Sequence, residues 1–530
     1  MPAPPLAFSA ARGALVVVGA IESSLRGLLI ALTFVNCASG AGHRSNTANP
    51  APTSQVSTTQ APSASGSRWV IWGYVTGAPE AHVTAPAELH AALVADGKVI
   101  RRAPLPGAAI VQWAPHGGWL ALCGRDTLTS AANTFWLSRF SLAGPRPIQT
   151  HTDGCGTIIW GRNGRVFTTS SDAAPWTLNV SDDLRVTVLT EPLSDRASFS
   201  TDGNFLIVNS GKELWRIVSF GQSSGRIQSW VVSADYCYWA PEGAEILCDR
   251  WSAQSGAAVR HVTLRLNAPP LEEELVLGAA SVPWTRWVGQ RGVLAFDSET
   301  KRLLWRSVDR GPVSTVTVLP RASNVDISVA PTRDRVAIAT ETGVEVWNTT
   351  MRPTRAFEVR LPASYGRLNW SANGRYLAVL GRHPKYGAVG SSGAWVIDVE
   401  QPTRPVALSK LDPDRFTSVT FSPGSNWAIL HEWKAGAQLY QSAAPVSQAA
   451  DAQHEDTLIA YHIVTGNRVR MPIASPSWWA SDDSALVSVD EARTHLLVQS
   501  TEHGKFSAHA LLGPVQRLTI VEWAPEMSID

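Results

Sequence analysis

The sequence predicts an all-β protein: a β-propeller of four-stranded antiparallel blades with about ten repeat units. Three observations predict it. An anchor residue, usually Trp, recurs along the chain, followed by a short turn that often holds Gly and then by an apolar run. Successive anchors lie 39 to 58 residues apart, which is the period of a four-stranded blade. No segment beyond the N-terminus has a helical period. The anchors are Trp113, Trp160, Phe199, Trp239, Trp287, Val329, Trp370, Phe421, Trp479 and Trp523.

Each unit is predicted to begin with a β-hairpin and to continue with two further strands. In the unit that starts at Trp370, Asn373 and Gly374 supply the tight turn between two β-rich runs. A third strand recurs with its own Trp, as in Leu304-Trp305, and a fourth follows, as in Val316-Thr-Val-Leu. The many Trp residues are interpreted as packing between blades.

The two ends of the chain are predicted to share one blade. Residues 68–107 have the pattern of the second to fourth strands of a blade, and residues 518–525 have that of an isolated first strand. Joined, they close the ring and remove two exposed sheet edges. Ten blades exceed the usual four to eight, so two smaller propellers or an open array remain alternatives.

The hairpin phrases resemble those of a known repeat family. Trp370-Ser-Ala-Asn-Gly-Arg-Tyr-Leu-Ala and Phe199-Ser-Thr-Asp-Gly-Asn-Phe-Leu are similar to the W-S-P-D-G-K-x-L-A hairpin of TolB-like, WD40-like propellers. The resemblance covers residues 68–530 and implies the propeller fold. It implies no single activity, because such repeats occur both in periplasmic docking proteins and in the propellers of prolyl-oligopeptidase-type peptidases.

A second resemblance is to quinoprotein-like propeller repeats. Ala295-Phe-Asp-Ser-Glu-Thr-Lys-Arg-Leu-Leu-Trp305 is similar to their A-x-D-x-x-T-G-x-x-x-W motif, with Lys301 in place of Gly. Ala460-Tyr-His-Ile-Val-Thr-Gly466 is similar to the first half of the motif, and two partial matches among ten units are typical of ordinary hairpin chemistry. No cofactor is therefore predicted.

The N-terminus predicts export. The apolar run Gly27–Val35 has the length of a signal-peptide core rather than of a membrane span. It leads to Cys37, and the segment resembles a bacterial lipoprotein signal in which that cysteine becomes the lipidated first residue; plain cleavage and an uncleaved anchor are the alternatives. Residues 38–67 are rich in Ser, Thr, Ala and Pro, and this composition indicates a low-complexity tether. Residues 1–37 are thus the predicted signal, and residues 68–530 the propeller.

The other four cysteines fit an oxidising compartment. Pairing Ala240 with Glu245 across the hairpin places Cys237 opposite Cys248, which predicts a disulfide. A bridge between Cys123 and Cys155 is a companion prediction, and four free buried thiols are the alternative.

Composition and motifs exclude several functions. The net charge of +1, with 17% charged residues and no basic run, provides no electrostatic footprint for nucleic acid. No G-x-S-x-G, H-E-x-x-H, C-x-x-C or P-loop motif occurs, so no catalytic or metal-binding residue is predicted. Carboxylates gathered from distant blades for glycoside hydrolysis stay an open alternative.

Two long connections point to a binding surface. Residues 383–393 and 433–456 both join the second and third strands of neighbouring units, so they are expected side by side on one face. Tyr386, Trp433 and Tyr440 are the predicted anchors for a partner. The sequence therefore predicts a lipid-anchored, protein-binding module of the bacterial cell envelope, with unknown envelope proteins as partners. The alternative is a hydrolase or lyase acting on polysaccharide or peptide at the central channel.

Overall fold

The protein is a ten-bladed β-propeller, and it lies within the part of the chain that spans residues 60–530. Every regular element among the described residues is a β-strand. The computed structural model describes residues 67–75, 87–95, 98–108, 110–124, 134–151, 155–169, 175–180, 186–189, 196–211, 213–220, 227–252, 256–266, 268–277, 284–309, 311–318, 326–340, 343–350, 352–361, 365–382, 391–409, 415–434, 457–471, 478–489, 495–502, 504–514 and 518–524.

The strands follow the chain order of the blades. Blade 1 contains β1 (Arg68–Val75), β2 (Ala87–Ala95) and β3 (Lys98–Ala108). Blade 2 contains β4 (Ile110–Trp113), β5 (Trp119–Gly124), β6 (Thr134–Ser141) and β7 (Gly144–His151). Blade 3 contains β8 (Ile158–Trp160), β9 (Arg165–Thr168), β10 (Trp176–Asn179) and β11 (Val186–Val188). Blade 4 contains β12 (Ala197–Phe199), β13 (Phe205–Gly211), β14 (Leu214–Phe220) and β15 (Ile227–Ser233). Blade 5 contains β16 (Tyr236–Trp239), β17 (Glu245–Ser252), β18 (Gly256–Arg265) and β19 (Ala268–Leu275).

The second half of the ring has the same order. Blade 6 contains β20 (Trp284–Val288), β21 (Gly292–Asp297), β22 (Arg302–Ser307) and β23 (Ser314–Val318). Blade 7 contains β24 (Ile327–Val329), β25 (Arg335–Ala339), β26 (Gly343–Asn348) and β27 (Thr354–Arg360). Blade 8 contains β28 (Tyr365–Trp370), β29 (Tyr376–Arg382), β30 (Ser391–Asp398) and β31 (Val406–Ser409). Blade 9 contains β32 (Arg415–Phe421), β33 (Trp427–Lys434), β34 (Thr457–His462) and β35 (Arg468–Met471). Blade 10 contains β36 (Trp478–Trp479), β37 (Ala485–Val489), β38 (His495–Glu502) and β39 (Lys505–Pro514), and β40 (Leu518–Trp523) follows it.

The ring is closed by the predicted shared blade. Strand β40 pairs with β1, with Val70 opposite Trp523, and so becomes the first strand of blade 1. The side chains of β1 alternate between two interfaces, as strand geometry requires. Trp69 and Ile71 pack with blade 2, whereas Val70 and Trp72 pack with blade 10. The fold therefore confirms one ring rather than two smaller propellers.

All ten anchors lie on the first strands, and several neighbouring first strands contact each other, such as β4 with β8 and β36 with β40. Four anchor indoles make the same type of hydrogen bond. In each case, Nε1–H donates to the carbonyl of the residue just before the anchor of the preceding blade. These are Trp160 to Gln112 (3.1 Å), Trp239 to Ser198 (3.0 Å), Trp287 to Tyr238 (3.1 Å) and Trp370 to Ser328 (3.0 Å). We call this contact the indole latch. These anchors therefore connect neighbouring blades by a hydrogen bond as well as by the packing that the sequence predicts.

In blades 2 to 5 and 7 to 10, the turn after the anchor places one residue in the left-handed region, four positions beyond the anchor. Gly374 has a φ of 69° there and matches the predicted Asn-Gly turn. Arg333, Ser425 and Asp483 occupy the same position with φ values of 60°, 66° and 62°. The turn geometry is thus kept in blades that have no glycine at that position.

Candidate functional site

The propeller has two chemically different faces. The turn face carries the turns between the first and second strands and between the third and fourth strands of each blade. The insertion face carries the connections between second and third strands and those that lead to the next blade. This division follows from the antiparallel order within each blade.

The turn face is held together by polar contacts from blade to blade. In blade 10, Asp483 accepts hydrogen bonds from Ser422 Oγ (2.6 Å), Gly424 N (2.8 Å) and Asn426 N (2.9 Å) of blade 9. Burial raises the pKa of Asp483, and these hydrogen bonds act in the opposite direction. Further links are His116 Nε2 with Arg162 O (2.9 Å), Asn163 Nδ2 to Gly203 O (3.0 Å), Thr201 Oγ1 to Pro241 O (3.2 Å), Arg291 Nη1 to Glu245 Oε1 (2.9 Å), Gly289 N to Arg333 O (2.6 Å) and Asn373 N to Ser425 Oγ (3.2 Å).

A cleft of about 380 Å³ opens on this face between blades 9 and 10. Its two carboxylates are already engaged, because Asp483 holds blade 9 and Asp482 forms a 2.8 Å ion pair with Arg68 of blade 1. Burial acts to raise the pKa of Asp482, but the hydrogen bonds from Ser484 and the charge of Arg68 outweigh it, so the pKa is lowered. The cleft belongs to the contacts that close the ring.

The insertion face is elaborated on one side of the ring. In blades 4 to 7, the connections between second and third strands are short: 212–213, 253–255, 298–301 and 340–342. In the six consecutive blades 8, 9, 10, 1, 2 and 3 they are longer: 383–390, 435–456, 490–494, 76–86, 125–133 and 169–175. The sequence identified the connections of blades 8 and 9. It did not single out the longer connections of blades 10, 1, 2 and 3.

The predicted anchors belong to this elaborated side. Tyr386 and Tyr440 lie outside the described residues. Trp433 lies on β33 opposite Phe416, and its side chain is outside the described set. Arg382 ends the strand that precedes the insertion of blade 8, and Thr457 begins the strand that follows the insertion of the adjacent blade 9. The predicted pairing of the two insertions on one face therefore follows the observed topology, while the role of the three aromatic residues stays a prediction.

A cluster of aromatic and charged side chains on the inner strands of blades 5 and 6 was not predicted from the sequence. Tyr236 is 45% exposed, and its ring stacks on that of Tyr238 at 6.3 Å between centroids. The Arg286 guanidinium lies 4.8 Å from the Tyr238 ring centroid and 5.3 Å from that of Trp284. Both strands start at the insertion face, so the cluster lies near that end of the inner wall. Tyr, Trp and Arg are the side chains that most often dominate binding energy in protein interfaces.

A buried carboxylate lies behind this aromatic cluster. Asp249 is paired with Tyr236 across β16 and β17, and its Oδ2 accepts a 3.0 Å hydrogen bond from Thr285 Oγ1. Its other oxygen, Oδ1, is buried and has no hydrogen-bond partner. Burial raises the pKa of Asp249 to about 6 and that of Tyr238 to about 12. Spacing alone could not have found this group, because Asp249 and Arg286 belong to different blades.

Both predicted disulfides are present. Cys237 and Cys248 lie directly opposite each other with their Cα atoms 4.2 Å apart. Cys123 on β5 is bonded to Cys155, which precedes β8, so this bridge links blades 2 and 3. Two disulfides indicate an oxidising, extracellular or periplasmic environment.

The described ranges lack the two features considered next. They contain no group of three or more His, Cys, Asp or Glu side chains that could hold a metal ion. Within the same residues, no helix has the length and apolar character needed to cross a membrane. Cys37 and the predicted signal lie in residues 1–66, outside the described part of the chain.

The chain is similar in fold to many solved propellers. No protein family model and no curated protein matches it. A structure described as a eukaryotic initiation factor is 12% identical with a TM-score of 0.45, covering 86% of this chain and 98% of its own. AztD of Citrobacter koseri is 14% identical with a TM-score of 0.32, covering 65% of this chain and 96% of its own. Sqt1 of Saccharomyces cerevisiae is 9% identical with a TM-score of 0.35, covering 78% of this chain and 95% of its own. The propeller fold itself fits a protein-binding or scaffolding module.

Proposed function

We propose that this protein is an exported docking module of the bacterial cell envelope, which binds a partner protein through the elaborated side of its insertion face. Lipid on Cys37 and the tether of residues 38–67 would hold it at the membrane. The observation that carries the proposal is the contrast between blades 4 to 7 and the six other blades, whose connections between second and third strands are all longer. Long connections on a rigid scaffold are typical of binding surfaces.

The other face supports this assignment. Its turns are engaged with neighbouring blades through Asp483, Asn163, Thr201 and Arg291. A surface whose polar groups already serve the fold has few left for a partner. The insertion face has longer connections and, at its inner rim, the exposed Tyr236 beside Arg286. The two faces thus divide into one that stabilises the ring and one that is available for binding.

The experiment is a comparison of partner recovery from envelope extract. Replacing residues 435–456 by a short Gly-Ser linker should preserve the melting temperature, since loop length changes closure free energy little, and should reduce the yield of specific partners. A matched control replaces residues 221–226, which join the third and fourth strands of blade 4 at the turn face, by a Gly-Ser linker of equal length. Equal partner yields from the two variants would refute the proposal.

One observation favours the alternative that the protein is an enzyme acting at the channel. Asp249 combines a pKa of about 6 with an unpartnered oxygen near an exposed tyrosine, and such perturbed groups are common at catalytic sites. Asp235, whose charge also raises the pKa of Asp249, would be the second carboxyl group of a glycosidase. Assays with polysaccharide and peptide substrates test this alternative: turnover lost in Asp249→Asn supports it, and absence of turnover in the parent contradicts it.

A further inference from the structure

The circumference of the ring carries a positive surface that the net charge of +1 does not reveal. It covers the third and fourth strands of four consecutive blades, 9, 10, 1 and 2, and we call it the basic rim. Each of its cations is exposed. They are Lys98, Arg101, Arg102, Arg139, Arg146, Arg468, Arg470 and Lys505.

The described side chains of the strands that form the rim carry one sign of charge. Among the described side chains of these eight strands there is no carboxylate, and Glu88 and Glu502 are the acids on them whose side chains are not described. By contrast, the cations of blades 5 to 8 are repeatedly paired, as in Arg260–Glu272 (3.2 Å), Arg291–Asp309 (2.9 Å) and Arg375–Asp398 (2.8 Å). Charge is therefore segregated around the ring rather than mixed.

The fold keeps this arrangement although it costs stability. Arg139 and Arg146 lie directly opposite each other on β6 and β7, and like charges in that position are destabilising. Other guanidinium groups reach across blade boundaries: Arg101 donates to Ala143 O of blade 2, Arg102 to Leu512 O of blade 10, and Arg468 to Ala407 O of blade 8 (3.0 Å). These contacts hold positive charge at the boundaries of blade 1 with blades 2 and 10, and of blade 9 with blade 8.

The position of the rim matches the place where the chain enters the ring. Residues 1–66 precede Arg68, the first residue of β1 in blade 1, and blade 1 lies in the middle of the basic rim. We propose that the basic rim binds an anionic phospholipid surface and so sets the orientation of the propeller on the membrane. The choice of a membrane as occupant rests on the proposed membrane attachment. The proposed docking of a protein partner is independent of it.

Vesicle sedimentation tests the rim without any lipid anchor. The full chain carrying Cys37→Ala is mixed with vesicles of phosphatidylcholine alone or of phosphatidylcholine with phosphatidylglycerol. We expect binding only to the anionic vesicles and its loss near 1 M salt, where the screening length is ~3 Å. Each cation near an anionic surface changes the partition coefficient between vesicle and water about fivefold. The variant with Arg139→Gln, Arg146→Gln, Arg470→Gln and Lys505→Gln should therefore have a partition coefficient about 25-fold lower if two of the four side chains lie at the lipid.

The matched control removes the same charge from the opposite part of the ring. It carries Arg265→Gln, Arg352→Gln, Arg360→Gln and Arg404→Gln, all at exposed positions of blades 5, 7 and 8. It should bind anionic vesicles as the parent does, with both variants melting like the parent. Equal losses in the two variants, no binding to anionic vesicles, or binding to an anionic polysaccharide or DNA that displaces the vesicles would each overturn the proposal. A protein that is not anchored to the membrane in cells would contradict lipidation of Cys37, and it would not change the result of the vesicle experiment.

Discussion

The indole latch predicts a specific difference between two tryptophans. Trp370 is 7% exposed and donates to Ser328 O at 3.0 Å, whereas Trp113 is 6% exposed and its buried Nε1 has no partner. Both are anchors packed in clusters between blades. Substituting each by Phe removes the same atoms from similar surroundings. The two variants therefore differ mainly in the polar group.

The magnitude follows from hydrogen-bond energetics. Trp370→Phe should lose about 1 kcal/mol of hydrogen bond in addition to its packing loss, and the freed Ser328 carbonyl adds to the cost. Trp113→Phe removes an unsatisfied buried donor worth about 1–3 kcal/mol of desolvation, which offsets part of its packing loss. We expect Trp370→Phe to be the more destabilising by about 2 kcal/mol or more.

Guanidinium-induced unfolding, followed by intrinsic fluorescence, measures this difference. The two variants should retain the unfolding slope of the parent, so that the midpoints report stability. If Trp113→Phe were as destabilising as Trp370→Phe, the indole hydrogen bond would contribute nothing, and the anchors would act through packing alone.

Three further outcomes are expected. Deleting residues 518–530 removes β40 and exposes an edge of β1, so the protein should aggregate or lose cooperative unfolding. A deletion variant that melts like the parent would contradict ring closure. Replacing Cys123 and Cys155 by Ser removes a disulfide between cysteines 32 residues apart in the chain and should lower the free energy of unfolding by about 3–4 kcal/mol. An unchanged melting temperature in non-reducing buffer would contradict that disulfide. Asp249→Asn should raise the free energy of unfolding above pH 6 by about 1–3 kcal/mol and leave it unchanged below about pH 4, because a folded-state pKa raised from 3.8 to about 6 penalises the ionised form. Thermal melts at pH 4 and pH 8 measure this, with Glu242→Gln on an exposed turn of the same blade as the control, and an equal gain at both pH values would exclude the linkage.

The architecture was predictable because it repeats. A Trp is the last residue of the first strand in six of the ten blades. The pairing of Ala240 with Glu245 was enough to place Cys237 opposite Cys248. Arg333 shows why the pattern is weaker in some blades. It adopts the left-handed turn conformation without being glycine, so the turn leaves little signal in the sequence.

The surfaces were harder to predict because they combine distant segments. The basic rim includes Arg101 and Arg468, which lie far apart in the chain and come to the same side of the ring only when the ring closes. A net charge of +1 gives no hint of such segregation. Asp249 likewise depends on Thr285 and Arg286 of the next blade for its environment. Local patterns predict strands and turns, whereas sites formed between blades require the fold.

The central claim is that partners bind the insertion face, and photo-crosslinking in intact cells tests it most directly. A photoreactive amino acid is placed at Arg382 and Thr457, which bound the connections of blades 8 and 9, and separately at Leu142 and Val464, which are exposed on turns of the opposite face. We expect crosslinks to the same partner from the first pair of positions and none from the second. Crosslinks to a partner from Leu142 or Val464, with none from the insertion face, would contradict it.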